Sequence, residues 1–154
     1  MLKRIFLFML LLTLSGCMKT LHEGPAFIGS APPDDDQALV YLFRIGSTPL
    51  WLSAPIYIDG KKIVDMPNRG YMPLYLKPGK HTVSIKWDLF AAQKDVEKTF
   101  TFGAGKTHYV ALTKSDVTSL KVLTDSRSHL LDEFTRENAI GGLSQCMLVV
   151  AGKE

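Results

Sequence analysis

The stretch "APIYIDGKKIVDM", Ala54 to Met66, decides the fold. Apolar residues alternate with polar ones on either side of Asp59-Gly60, a pair that supplies the two positive φ angles a type I′ turn requires. The spacing predicts a β-hairpin whose two-residue turn sets Ile56 opposite Ile63 on one face. Upstream, "ALVYLFRI" (Ala38 to Ile45) is a dense apolar run of aromatic and branched residues, the mark of a strand buried on both faces.

Downstream, "GYMPLYLKPGKHTVSIKW" reads as strand, turn, strand, with Pro78-Gly79 as the corner. Val83, Ile85 and Trp87 alternate there with Thr82, Ser84 and Lys86, which predicts one wet face. Pro73 cannot donate to a ladder, so its strand is expected at an edge or a bulge. "VEKTFTFGAGKTHYVALT" predicts a third hairpin turning at Gly103 to Lys106, with Phe100 and Phe102 on the core side. "SHLLDEFTREN" spaces Leu130, Leu131 and Phe134 as one helical stripe, which Gly141-Gly142 should stop. A last strand is expected over Gln145 to Ala151. About seven or eight short strands joined by tight turns predict an all-β fold, an antiparallel two-sheet sandwich of Ig-like or prealbumin-like type with one short C-terminal helix. A small barrel is the alternative.

The first residues bear on address. Lys3 and Arg4 precede the uncharged "IFLFMLLLTL" (Ile5 to Leu14), a signal-peptide pattern too short for a spanning helix, which needs about 20 apolar residues. "LSGC", Leu14 to Cys17, resembles the bacterial lipobox. That resemblance implies cleavage after Gly16, a diacylglyceryl group on the Cys17 thiol and a third acyl chain on the new amino terminus. Cys17 is thus the expected lipid attachment, and these chains the only non-protein group expected; no cofactor is. Met18, where inner-membrane lipoproteins of enterobacteria carry Asp, resembles an outer-membrane address.

Three segments follow: 1–16 as signal peptide, 17–36 as lipidated N-terminus and flexible tether ending in "PPDDD", and 37–154 as the sandwich domain. Fully extended at about 3.1 Å per residue, such a tether reaches about 60 Å. With Lys3 and Arg4 removed, 16 of the 18 basic residues face 15 acidic ones. A mature charge of about +1 without a cationic stripe argues against a nucleic-acid partner. Asp34 to Asp36 read as a solvated linker end rather than a calcium site. Cys146, left without an intrachain partner, sits in apolar "QCMLVVA" and is expected to be a buried, inert thiol.

No catalytic constellation is apparent. His22, His81, His108 and His129 lack metal-ligand spacing, no GxSxG elbow occurs, and "GAGK" lacks the Walker pattern. Neither an enzyme nor a metal site is expected.

Topology gives the better lead. If consecutive strands from Ala38 to Thr113 alternate up and down, Asp59-Gly60, Pro78-Gly79 and Gly103 to Gly105 gather at one end with the tether. The segments 46–54, 67–70 and 88–95 gather at the other, which this scheme sets away from the membrane. Leu50, Trp51, Leu52, Asn68, Arg69, Leu89 and Phe90 form the expected interaction rim, on loops greasier than turns require. The alternative is that Trp51 and Phe90 fold back as plugs over the core.

The stretches "ALVYLFR", "PIYIDGKKIVDMPNRGYMPLYLKPGKHTVSI" and "FGAGKTHYVAL" resemble the bacterial lipoprotein family known as domain of unknown function 2846, related in style to PEGA-type surface domains. The resemblance covers Ala38 to Thr113, with a tail through "LSQCMLV". Its motifs are turn chemistry, and it implies a β-sandwich and a cell-envelope address, with no catalytic residues. The long apolar loop "GSTPLWLSAP" departs from the pattern. The expected function is a non-catalytic, lipid-anchored envelope domain that binds a protein or structural partner. Alternatives are a module stacking a glycan on Trp51, Tyr71 or Phe90, and an accessory lipoprotein of a secretion apparatus.

Overall fold

A computed structural model describes residues 25–47, 49–91, 93–114 and 129–150. The signal segment, Cys17 and the first part of the expected tether lie outside the described residues. In chain order the strands are β1 (Ala38–Arg44), β2 (Ala54–Ile58), β3 (Lys61–Met66), β4 (Gly70–Leu76), β5 (Gly79–Ile85), β6 (Val96–Phe102), β7 (Thr107–Lys114), β8 (His129–Phe134) and β9 (Met147–Leu148). A 3-10 turn covers Leu89–Ala91, and helix α1 covers Arg136–Leu143.

These strands form two sheets, ordered β8-β7-β1-β4-β9 and β3-β2-β5-β6. The all-β sandwich is therefore the fold. β1 lies central and is buried along its whole length, because its two faces serve two cores. Ala38, Val40 and Leu42 join Ile56, Met66, Ile85, Phe100, Phe102, Val110 and Leu112 between the sheets. Leu39, Tyr41 and Phe43 join Tyr71, Tyr109, Ala139 and Leu143 on the outer face, where α1 and Phe27 cover them.

The Asp59-Gly60 hairpin forms with φ of 51° and 80°, as its type I′ turn requires. A bulge between Ile56 and Tyr57 shifts the register by one, so Ile56 faces Val64 rather than Ile63. The other two expected hairpins are corners between sheets. β4 pairs with β1 while β5 pairs with β2 and β6, and β7 pairs with β1 and β8. Two of these pairings, β1 with β7 and β4 with β9, are parallel, so the sandwich is not wholly antiparallel. The strands between β1 and β7 supply the long crossover that a parallel pair needs.

Pro73 sits in a strand with partners on both sides, yet β9 pairs only with Gly70 and Tyr71. Tyr71 turns its carbonyl toward the β9 side, and Pro73 shares its parity, so the missing N–H falls on the open part of that flank. The expected helix at "SHLLDEF" is instead strand β8, with Leu131 buried and Leu130 exposed. The helix begins about two turns later, after Thr135, and runs through Gly141-Gly142 instead of stopping there.

The stretch expected to be a free tether is docked from Pro25 onward. Leu148 N–H donates to the Pro25 carbonyl, Ala26 bridges Met147, and Phe27 packs edge-on against Tyr41 and Tyr71. Ile28 N–H bonds the Tyr71 hydroxyl, Ser30 N–H the Tyr41 hydroxyl, and the Tyr75 hydroxyl donates to the Ala31 carbonyl.

Candidate interaction rim

β1 ends in Arg44, whose parity points it into the space between the sheets at the open end of the core. It is fully buried, with 0% of its surface exposed. Its guanidinium uses all five N–H groups on neutral oxygens. Nε donates to Ser47 Oγ, Nη1 to the carbonyls of Leu52 and Met66, and Nη2 to those of Ser47 and Pro49. One planar cation thereby fixes the 45–53 loop to the end of β3. Its charged plane also lies 5.7 Å from the centre of the Trp87 ring. Desolvation pushes its pKa down to about 10, which leaves it charged at neutral pH.

Neighbouring loops are tied to this centre. Gly46 N–H donates to Asn68 Oδ1, and Arg69 N–H donates to the Arg44 carbonyl. Trp87 lies 5.4 Å from the ring of His129, which in turn bonds Gln93. Burial first, then the charge of Arg44, lowers the His129 pKa. Protonating its unpartnered, buried Nδ1 would add a second cation beside the first.

The rim expected from topology is assembled at this end. Leu50, Trp51, Leu89 and Phe90 are 54%, 81%, 92% and 95% exposed, so Trp51 and Phe90 are not plugs over the core. Arg69 is exposed, whereas Leu52 and Asn68 are half-buried and serve the loop framework through the bonds above. Sequence reasoning missed Arg44, Ser47, Trp87 and His129. The available signal was an arginine closing a strand whose every other residue is apolar.

The opposite end is built for turns. His81 faces two acceptors, the Asp59 carboxylate at 2.7 Å and the Lys77 carbonyl at 2.8 Å, and both are best served by an imidazolium. His108 accepts from Gly103 N–H and donates to Glu133. Gly105 N–H reaches the Gln37 carbonyl, so the start of β1 belongs to this end as expected. The chain before it does not: residues 25–31 run along the outer face of the five-stranded sheet, and Pro25 and Ala26 lie beside β9 and Gly70, at the rim end.

Two further features stand out among the described residues, a thiol and a cleft. Cys146 is buried, and burial raises its thiol pKa to about 11, so it is inert. An open cleft of about 260 Å³ beside α1 is lined mainly by apolar groups, among them Phe43, Ile45, Ala111 and Phe134. Among the described residues no three histidine, cysteine or acidic side chains are grouped to hold a metal ion.

A family model described as "Protein of unknown function (DUF2846)" matches residues 34–124, more than half of the chain. No curated protein matches it.

Proposed function

The chain belongs to this family, and on the strength of its rim we propose that it is a non-catalytic, lipid-anchored domain of the bacterial cell envelope that works by binding through that rim. The observation that carries the proposal is four large apolar side chains held out in water at one end of the sandwich, two of them, Leu50 and Trp51, on a loop that buried Arg44 ties to the end of β3. Large apolar groups exposed at one end of a fold commonly mark interaction surfaces, and loops held by a scaffold lower the entropy cost of binding. The charged start, apolar core and lipobox-like "LSGC" support the anchor at Cys17, and Met18 supports the outer membrane.

Both ring nitrogens of His81 and His108 have protein partners, and the unpartnered Nδ1 of His129 is buried beneath the loops rather than open to a substrate. The glycan alternative loses one of its three platforms, because Tyr71 is buried beneath Phe27. No observation favours the secretion-apparatus alternative.

The test has two parts. Intact mass of the purified natural product should show acyl groups on Cys17, and a photo-crosslinker at position 51 should give a discrete adduct in whole cells. An unacylated amino terminus would end the anchored reading. A reagent at position 51 that captured nothing but water would end the binding one.

A further inference from the structure

We propose that the occupant of the rim is the lipid bilayer itself, so that the domain sits rim-down on its own membrane with Leu50, Trp51, Leu89 and Phe90 in the headgroup boundary. This rests on the anchored reading above and names the partner of the same site.

The path of the chain carries the argument. Pro25 and Ala26 are fixed at the rim end by Leu148 and Met147, and the residues after them run away from it toward Gln37 at the turn end. Cys17 precedes Pro25 by eight residues. Eight residues span at most about 28 Å when fully extended. The seven residues of β1 alone rise about 23 Å. An anchor starting at the rim would need nearly all of that length merely to pass the turn end. With the rim facing the bilayer it needs almost none. On this proposal the rim faces the membrane, opposite to the orientation expected from strand alternation.

The side chains suit that surface. Tryptophan is enriched at the membrane interface, and Leu89 and Phe90, adjacent on one 3-10 turn, are almost wholly exposed. The loops carry Arg69, Lys86 and Lys94 against Asp88 and Asp95, close to charge balance. Both carboxylates are turned to backbone, Asp88 to Ala91 N–H and Asp95 to Trp87 N–H. Apolar insertion rather than charge therefore drives docking, with little dependence on salt. Among the described residues no helix is long and apolar enough to span a membrane. A protein partner at the rim would have to share the gap between domain and bilayer that this short connection leaves.

The experiment uses the mature chain, beginning at Cys17 and without acyl groups, coupled through that thiol to a maleimide lipid in phosphatidylethanolamine/phosphatidylglycerol vesicles. Buried Cys146 does not compete. Tryptophan emission is compared between plain vesicles and vesicles with acyl chains brominated near the headgroup. We expect quenching that Trp51→Phe abolishes, since Trp87 is half-buried among Arg44 and His129. Leu89→Ser with Phe90→Ser should lower the docked-to-undocked ratio on the order of 100-fold, taking quenching to the undocked level. Unchanged melting of these variants shows that the loss is not unfolding. Equal emission from position 51 in plain and brominated vesicles overturns the proposal, and so does a whole-cell crosslink from position 51 to protein instead of lipid. Because coupling replaces natural acylation, these results stand apart from the mass of the natural amino terminus, which judges the anchored reading alone.

Discussion

Replacing Arg44 by methionine removes a buried cation and leaves its length in place, and two opposed effects set the cost. Four of the lost bonds are buried; the Ser47 hydroxyl can rotate, but the orphaned carbonyls of Met66, Ser47 and Pro49 each cost about 1–3 kcal/mol. The Leu52 carbonyl sits on a half-buried residue and can recover water. Against this, methionine need not be stripped of charge hydration. Lowering the guanidinium from 12.5 to about 10 corresponds to roughly 3 kcal/mol of desolvation that the variant escapes. The difference is a net loss of about 3 kcal/mol, or roughly 10–15 °C in Tm for a domain of this size. A typical domain stability of about 5–15 kcal/mol survives that loss. Urea unfolding gives the free energy, and limited proteolysis of 45–53 reports the loop. Arg44→Lys should recover only part of the loss, because three donors at one point cannot serve oxygens spread over Ser47, Pro49, Leu52 and Met66. A methionine variant within about 1 kcal/mol of the parent, with the loop equally resistant, would refute the role given to Arg44.

Three other perturbations test the framework. The Asp59 pKa is lowered by Thr82 N–H and then by His81, while His81, despite its burial, is raised above 6.5 by Asp59 and the Lys77 carbonyl. Stability from His81 is thus complete below 6.5 and lost as pH rises through its raised pKa; stability from Asp59 is present above 3.8 and lost as pH falls through its lowered one. Asp59→Asn should therefore cost most between those two values, and urea midpoints that shift equally near pH 5.5 and pH 8.5 would contradict this. His129, lowered by burial and Arg44, has the opposite slope, so the comparison must be variant against parent at each pH. Gly141→Ala has open space and should stabilise α1 by up to about 1 kcal/mol, whereas at Gly142 a Cβ would stand 2.2 Å from Ile45 Cδ1 and the same change should destabilise; reversed signs in thermal melts would refute the packing of α1. Phe27→Ala, which removes two edge-on ring contacts, should cost about 2 kcal/mol and speed proteolysis between residues 22 and 36; an unchanged cleavage rate would mean that the segment is not held by this ring.

Much of the sandwich was legible because local rules and tertiary needs coincide there. Asp59-Gly60 can satisfy its backbone only as a tight turn, and "ALVYLFR" can bury so much apolar surface only at the centre of a sheet with both faces covered. Pro78-Gly79 and Gly103 to Gly105 misled, since the same turn chemistry serves a hairpin and a corner between sheets. Only the pairing of β4 and β7 with β1 tells them apart, and that pairing is non-local. "SHLLDEF" carries a helical spacing and a strand alternation at once. The unfilled edge of β7 settles it as a strand, with six residues paired there. Gly141-Gly142 reads as a helix stop, yet Gly142 is the point where Ile45 meets the helix, so absence of a side chain is what permits the packing. The rim was visible as position but not as construction, because Arg44 acts on carbonyls and carbonyls leave no trace in a residue pattern.

The path of residues 25–31 shows why strand alternation alone gives an incomplete geometry. Alternation correctly assigns each loop to an end, and it sets Gln37 with the turns. What it cannot contain is the return of the preceding residues along the outside of the sheet, because that segment makes one isolated bridge, and side-chain contacts fix the rest of it. Those contacts use an outer face that β1 must bury in any case: Tyr41 and Tyr71 need a cover, and Phe27 supplies it. Hydrophobic closure of the second core thus carries the N-terminal chain to the rim end as a by-product. If Cys17 carries the proposed anchor, a connection of eight residues would turn that packing requirement into an orientation, with the greasiest loops nearest the bilayer.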